Sequence, residues 1–214
     1  MRLVSIQTGK PRDLGTPGAA EPFDRPWTTG YGKQPVAGAM VRTLNLDGDG
    51  QADKRHHGGP DMAVLAYSAD HYVAWRKELD WGNIPSGAFA ENLTVEGATE
   101  DTVCIGDVWE IGEVRLQVSE PRKPCNNISR FWHKKELLKQ VEEHGRYGWY
   151  LRVLREGRIE AGQGVTLVSR AHPEWTVAKA MRARREKAKL PEGARALAAL
   201  PELGEDWRRI LLAR

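Results

Sequence analysis

The segment Ser119-Glu120-Pro121-Arg122-Lys123-Pro124-Cys125-Asn126-Asn127 places two cations and two prolines against a thiol. Each proline fixes its φ and stiffens a loop that follows a strand. Cations beside a cysteine favour the thiolate and lower its pKa from ~8.5, at activated sites to roughly 3.5–7.5. A thiolate is both a nucleophile and a soft metal ligand. The same residue could also be a buried, inert cysteine; the residues alone leave both readings open. Cys104, in Asp101-Thr102-Val103-Cys104-Ile105, has apolar neighbours and reads as core.

A second segment, Asp53-Lys54-Arg55-His56-His57-Gly58-Gly59-Pro60-Asp61, fits an anion cradle. Glycines let backbone N–H groups approach an oxyanion closely, and Lys54 and Arg55 supply charge. A polar turn without a ligand is the alternative. Zinc is a poor fit: His56 and His57 point apart on an extended segment, and no Cys or His pair has structural-site spacing. Two weaker signals follow. Glu91 and Asn92, in Gly87-Ala88-Phe89-Ala90-Glu91-Asn92-Leu93-Thr94, could orient a substrate or close a turn. In Gly145-Arg146-Tyr147-Gly148-Trp149-Tyr150, Arg146 could meet an anion, and Trp149 could stack on a planar ring or sit in the core.

The elements that must position these segments are mostly strands at first. Residues 2–8 read as a strand. Residues 9–38 lack periodicity and read as a long irregular region, a type that is often functional. A short strand over 41–46 closes at Asp47-Gly48-Asp49-Gly50. That run resembles half a calcium loop, but position 58 is Gly where an EF-hand needs Glu, so calcium is rejected. Residues 63–67 are an apolar strand. Ser68 is an N-cap for a helix over 69–79, with Tyr72, Trp75 and Leu79 on one face. Residues 108–111 and 114–119 form a hairpin, with Val114, Leu116 and Val118 alternating inward. One helix is predicted over 129–144, striped by Phe131, Leu137, Leu138 and Val141 and stopped by Gly145. Strands follow over 149–154 and 165–168, with turns at Gly157 and Gly162. From Thr176 the composition shifts to Ala, Leu, Arg and Lys, and helices are predicted over 176–187, 192–200 and 205–212. The expected fold is α+β, mostly β: a β-domain over 1–169 and a helical appendage over 170–214.

The 214 residues are 29% charged and 40% apolar, an ordinary balance for a soluble globular chain. Net charge is +3, but the last 45 residues carry 11 Lys and Arg against 6 Asp and Glu. This basic tail reads as a solvated helical surface. Two cysteines cannot build a disulfide framework, which fits a reducing compartment. No long apolar run opens the chain, and none approaches the ~18 residues of a membrane span. A cytoplasmic protein with no membrane partner is expected.

The ordered set Lys54-Arg55-x-His57-Gly58-Gly59-Pro60-Asp61, Phe89-x-Glu91-Asn92-Leu93, Ser119-x-Pro121-Arg122-x-Pro124-Cys125 and Gly148-Trp149 resembles the MOSC domain (molybdenum cofactor sulfurase C-terminal domain). The likeness spans residues 3–168. Trp175-Thr176-Val177 opening a helix, and Ala198-Ala199-Leu200-Pro201 before Trp207, are similar to the three-helix appendage of the YiiM branch. Each motif is modest alone; the order is specific.

The resemblance implies a mostly antiparallel β-barrel with flanking helices. It implies the molybdenum cofactor, a molybdopterin with a terminal phosphate, as ligand. The implied activity is reduction of N-hydroxylated bases, such as 6-hydroxylaminopurine, to amines. Cys125 matches the position whose thiolate would bind molybdenum. Lys54, Arg55, His57 and Asp61 match the cradle, and Arg122 the cation beside the cysteine. Gly58, Gly59, Glu91, Asn92 and Arg146 complete the candidate cofactor-binding set. Ala90 departs from the expected Gly and would be strained if its φ were positive.

No G-x-G-x-x-G follows a strand and no iron–sulfur cysteine set is present. Pyridoxal phosphate is not expected. Electrons would therefore come from an external donor protein, such as a flavin reductase or a haem or iron–sulfur carrier. The alternative reading is a carrier of molybdenum cofactor, or of sulfur through a Cys125 persulfide, without turnover of its own. Nucleic-acid binding through the tail would show steep salt dependence, but no nucleic-acid motif supports it.

Overall fold

The structure, a computed structural model, describes residues 1–53, 57–79 and 81–213. Its strands are β1 (Arg2–Thr8), β2 (Arg12–Leu14), β3 (Trp27–Thr29), β4 (Gln34–Val36), β5 (Gly38–Arg42), β6 (Asn45–Leu46), β7 (Val64–Ser68), β8 (Leu93–Glu96), β9 (Val108–Ile111), β10 (Val114–Pro121), β11 (Trp149–Arg155), β12 (Gly157–Glu160) and β13 (Thr166–Ser169). Its helices are α1 (Ala69–Glu78), α2 (Asn127–Phe131), α3 (Leu137–Glu143), α4 (Val177–Arg185), α5 (Pro191–Ala198) and α6 (Glu205–Leu212). The period-2 pattern holds in β10, where Val114, Leu116 and Val118 are buried and Arg115 is exposed.

Eight strands, ordered β13-β9-β10-β11-β7-β8-β1-β4, make one sheet that curls as a half-barrel. Its pairings are antiparallel except that of β7 with β8. A parallel pair needs a crossover connection, and α1 lies within it. Ser68 caps α1, its side chain accepting from the Asp70 backbone N. A second sheet runs β12-β5-β6, and β2 pairs with β3.

Several expectations need correction. The region 9–38 is not wholly irregular: it contains β2, β3 and β4. Three-residue strands are too short to show a period and exist through their partners. The predicted helix over 129–144 is two helices. His133 has φ +52, outside the right-handed helical region, and Trp132 turns aside to donate to the Ala88 carbonyl at 2.8 Å and pack edge-on against Trp81. Gly157 opens β12, which pairs with β5 across the chain, a partnership no local pattern reveals.

The core is aromatic, with Trp75, Trp109, Trp149, Tyr67 and Phe89 fully buried. Trp149 meets Trp109 edge to face at 5.9 Å and is a core residue. Cys104 is buried too, and burial raises its thiol pKa. Beyond the sheet, α4, α5 and α6 bury Val177, Ala180, Met181, Ala194, Leu197, Ala198, Trp207 and Leu211. Thr176 caps α4, its hydroxyl accepting from Lys179 N at 3.1 Å. Among the described residues, no helix is long and apolar enough to cross a membrane.

Candidate active site

After β10 the chain leaves the sheet and turns into α2. Arg122 N donates to the Gly148 carbonyl at 3.1 Å. Gly148 has φ +77, and a Cβ there would lie 2.5 Å from the Ala66 carbonyl oxygen, so only glycine allows this close approach. The bond carries Arg122 inward until its residue is only 5% exposed. Nη2 donates to the Tyr31 hydroxyl at 2.8 Å. Nη1 is buried and has no hydrogen-bond partner among the described residues.

The charge on this guanidinium is secure. Burial disfavours it, but its surroundings, the hydrogen bond to Tyr31 among them, keep its pKa above the ordinary arginine value. Burial pushes the Tyr31 hydroxyl up to about 12, and raises Tyr150 as well, so both phenols are neutral at physiological pH. A buried N–H without an acceptor costs about 1–3 kcal/mol, more for a charged group. The arrangement is complete only with an acceptor, and an anionic one suits it best.

Arg122 lines a cavity together with Cys125, His57, Gly58 and Asn92. Cys125 is free and half-buried. Gly58 and Gly59 have φ +138 and +82, conformations that L side chains rarely adopt, and Gly59 leads into a 3-10 turn over Pro60–Met62. His57 N donates to the Asp53 carbonyl at 3.0 Å. Lys54, Arg55 and His56 lie outside the described residues.

Tyr31, Lys33, Asp49 and Tyr150 also line the cavity, and the sequence marked none of them as a cofactor-binding residue. Asp49 gathers distant segments. Its carboxylate accepts from Lys33 Nζ at 2.7 Å, Asn92 Nδ2 at 2.9 Å and Gly9 N at 3.0 Å. The half calcium loop is thus an internal clamp. The Lys33 side chain is 8% exposed, and burial lowers its pKa against the opposing pull of Asp49. Tyr31 and Lys33 lie in the long loop noted for possible function; nothing in their types marked them further.

Asn92, though at the wall, has other bonds: its Nδ2 also reaches the Gln7 carbonyl at 3.3 Å, and its Oδ1 accepts from Leu65 N at 3.1 Å. Glu91 lies outside the cavity lining. Its carboxylate accepts from Gly87 N, Phe89 N, the Tyr72 hydroxyl and the Thr94 hydroxyl. This staples the 87–91 loop and holds Ala90, which does line the cavity, at φ +64. Arg146 is also elsewhere, paired with both oxygens of Glu78 at 2.6 and 2.8 Å and lying over Trp75. Asp61 faces away from the cavity, toward Arg152 and α6. Among the described residues, no group of three or more His, Cys, Asp and Glu could hold a metal ion.

A family model described as the MOSC domain matches residues 53–166, and one described as the YiiM-like, 3-alpha helix domain matches residues 175–214. The chain is 39% identical over 207 residues to the uncharacterized protein YflK of Bacillus subtilis, covering 96% of this chain and 90% of that one. It is 39% identical over 133 residues to a protein of Gibberella moniliformis named Reductase, covering 59% of this chain and 23% of that one. The crystal structure of YiiM from Geobacillus stearothermophilus matches with a TM-score of 0.79 at 31% identity, over 98% of this chain and 96% of that one. The chain therefore belongs to the MOSC-domain family, in the form that carries a YiiM-like three-helix domain after the β-domain.

Proposed function

We propose that the chain is a molybdenum-cofactor-dependent reductase that converts N-hydroxylated compounds, such as 6-hydroxylaminopurine, to amines, with the Cys125 thiolate as the metal's ligand. One observation carries the reading: a buried arginine with an N–H that has no partner among the described residues shares a cavity with a half-buried free cysteine. The association of MOSC domains with molybdenum cofactor supports it, as does a relative named Reductase.

The residues present fit such a group. Its phosphate needs positive charge and N–H donors; Arg122 offers both, and the Gly58–Gly59 backbone admits close approach. Its metal is thiophilic, and Cys125 offers sulfur. Bound, the cofactor would supply the redox chemistry for reductive cleavage of an N–O bond, which consumes two electrons and two protons and releases water.

The chain's own residues would bind and orient. Arg122 anchors negative charge. Tyr31 accepts from Arg122 and so keeps its own O–H free to donate. Lys33 directs one N–H to Asp49 and retains others for a substrate oxygen. Lys54 and Arg55 complete the cradle that the family resemblance implies. Electrons arrive from an external donor protein, since the chain has no flavin or nicotinamide fingerprint.

The test is turnover of 6-hydroxylaminopurine by cofactor-loaded protein with a chemical reductant. Cys125→Ala should lose at least about 100-fold in rate, the upper range even for outer-shell partners of a metal. Equal rates would end this reading. A persulfide on Cys125, seen as the mass of one added sulfur in protein free of molybdenum, would favour the carrier reading instead.

A further inference from the structure

Asp61 stands between two cavity-lining residues, Gly58 and Met62, yet its carboxylate faces the other way. Oδ1 accepts from Arg152 Nε at 3.0 Å and lies 2.7 Å from Nη2. Oδ2 accepts from the Glu205 backbone N at 2.9 Å. Glu205 is the first residue of α6, and the N-cap of that helix is Gly204, which has no side chain to cap with. A helix start leaves its first N–H groups without intrahelical acceptors. Here one of them is satisfied by a carboxylate 144 positions earlier in the chain.

The contact is reinforced on both sides. The Asp61 carbonyl accepts from the Ser119 hydroxyl, and the Ser119 carbonyl accepts from Gly204 N at 3.0 Å. Loop, β10 and α6 are thus joined by one connected set of hydrogen bonds. The fit is close: a Cβ on Gly204 would lie 2.0 Å from Glu120 Oε2 and 3.4 Å from Asp61 Cβ.

We propose that Asp61 is a positioning residue that clasps the Gly58–Gly59 wall of the cavity to the three-helix appendage, so that docking of the appendage sets the geometry of the cavity. Two consecutive glycines have wide conformational freedom, which must be removed for a wall to hold one shape. The turn bond from Met62 N to the Gly59 carbonyl at 3.2 Å, Pro60 and the bonds of Asp61 all restrict it. Supporting contacts of this kind decide whether a site is held to the fraction of an ångström that binding needs. The appendage is, on this account, a structural part of the site.

The experiment uses the full-length chain made in a host that produces molybdenum cofactor. Gly204→Ala perturbs the clasp from the appendage side and touches no cavity residue. Asp61→Ala removes it, and Asp61→Asn keeps one acceptor while losing the charge. Ile111→Val, in the β9 core, is a control for general destabilisation. Amide exchange of residues 57–63 should rise about 10-fold or more in Asp61→Ala, as expected for losing a bond to a charged group, and by a smaller factor in Gly204→Ala, whose methyl must push Glu120 aside at the start of α6. Asp61→Asn should fall between, and Ile111→Val should leave this segment unchanged. Unchanged exchange in both clasp variants, or an equal rise in Ile111→Val, would overturn the proposal.

The functional consequence rests on the cofactor reading: molybdopterin retained per chain should fall several-fold in the two clasp variants. Retention equal to wild type would overturn the coupling. Wild-type chain without molybdopterin would instead overturn the cofactor reading, while the exchange result still decides the clasp.

Discussion

Ala90 is held at φ +64 because the Glu91 carboxylate ties Gly87 N and Phe89 N together around it. A left-handed conformation costs a residue with a Cβ roughly 1–2 kcal/mol. Glycine escapes that cost but gains unfolded-state entropy worth roughly 0.4–1 kcal/mol. Ala90→Gly should therefore stabilise the protein by about 0.5–1 kcal/mol in urea unfolding. A loss of stability would show that the Ala90 methyl makes contacts that outweigh its strain. At this scale the sequence was informative where chemistry was contiguous. Arg122 and Cys125 are neighbours in a proline-framed run, and Gly58 follows a run of cations and imidazoles, so their types stood out together. Lys33 and Asp49 did not, because a lysine and an aspartate become a buried pair only when the fold joins their segments.

Near the end of β10, Glu120 is buried and its Oε2 has no hydrogen-bond partner among the described residues. Burial, then the nearby carboxylates of Asp61 and Asp206, push its pKa up to about 8, against the pull of Arg152 and Arg184. In the unfolded chain a glutamate titrates near ~4.3. Between those values the folded state holds a proton that the unfolded state has lost. Stability therefore falls as pH rises from about 4.3 to about 8 on this residue's account. Glu120→Gln should abolish that slope. It should match wild type near about pH 4 and exceed it above about pH 8, by up to about 5 kcal/mol. Parallel pH profiles in the two proteins would contradict this. Elements with a clear period, such as β10 and α1, could be read directly. The break between α2 and α3 could not, because it depends on Trp132 finding the Ala88 carbonyl, a tertiary contact that overrides helix propensity.

For the whole molecule, the change to an Ala-, Leu- and Arg-rich composition after Thr176 announced a helical appendage. It said nothing of where that appendage sits. Its contacts include Asp61 with Glu205 N, Val177 N with the Val103 carbonyl and Ala178 N with the Glu100 carbonyl, pairings with no local signature. The parallel pairing of β7 with β8 was hidden for the same reason: it pairs strands separated by α1 and a loop. The cavity lies wholly within the β-domain, walled on one side by the Cys125 loop and on another by the segment that holds Gly58. We propose that this cavity holds a molybdenum cofactor through the Cys125 thiolate. Molybdenum per chain, measured in wild type and Cys125→Ala purified from a host that makes the cofactor, tests it most directly. The account predicts about one metal per wild-type chain and a loss of at least about 10-fold in the variant; equal metal in both would contradict it.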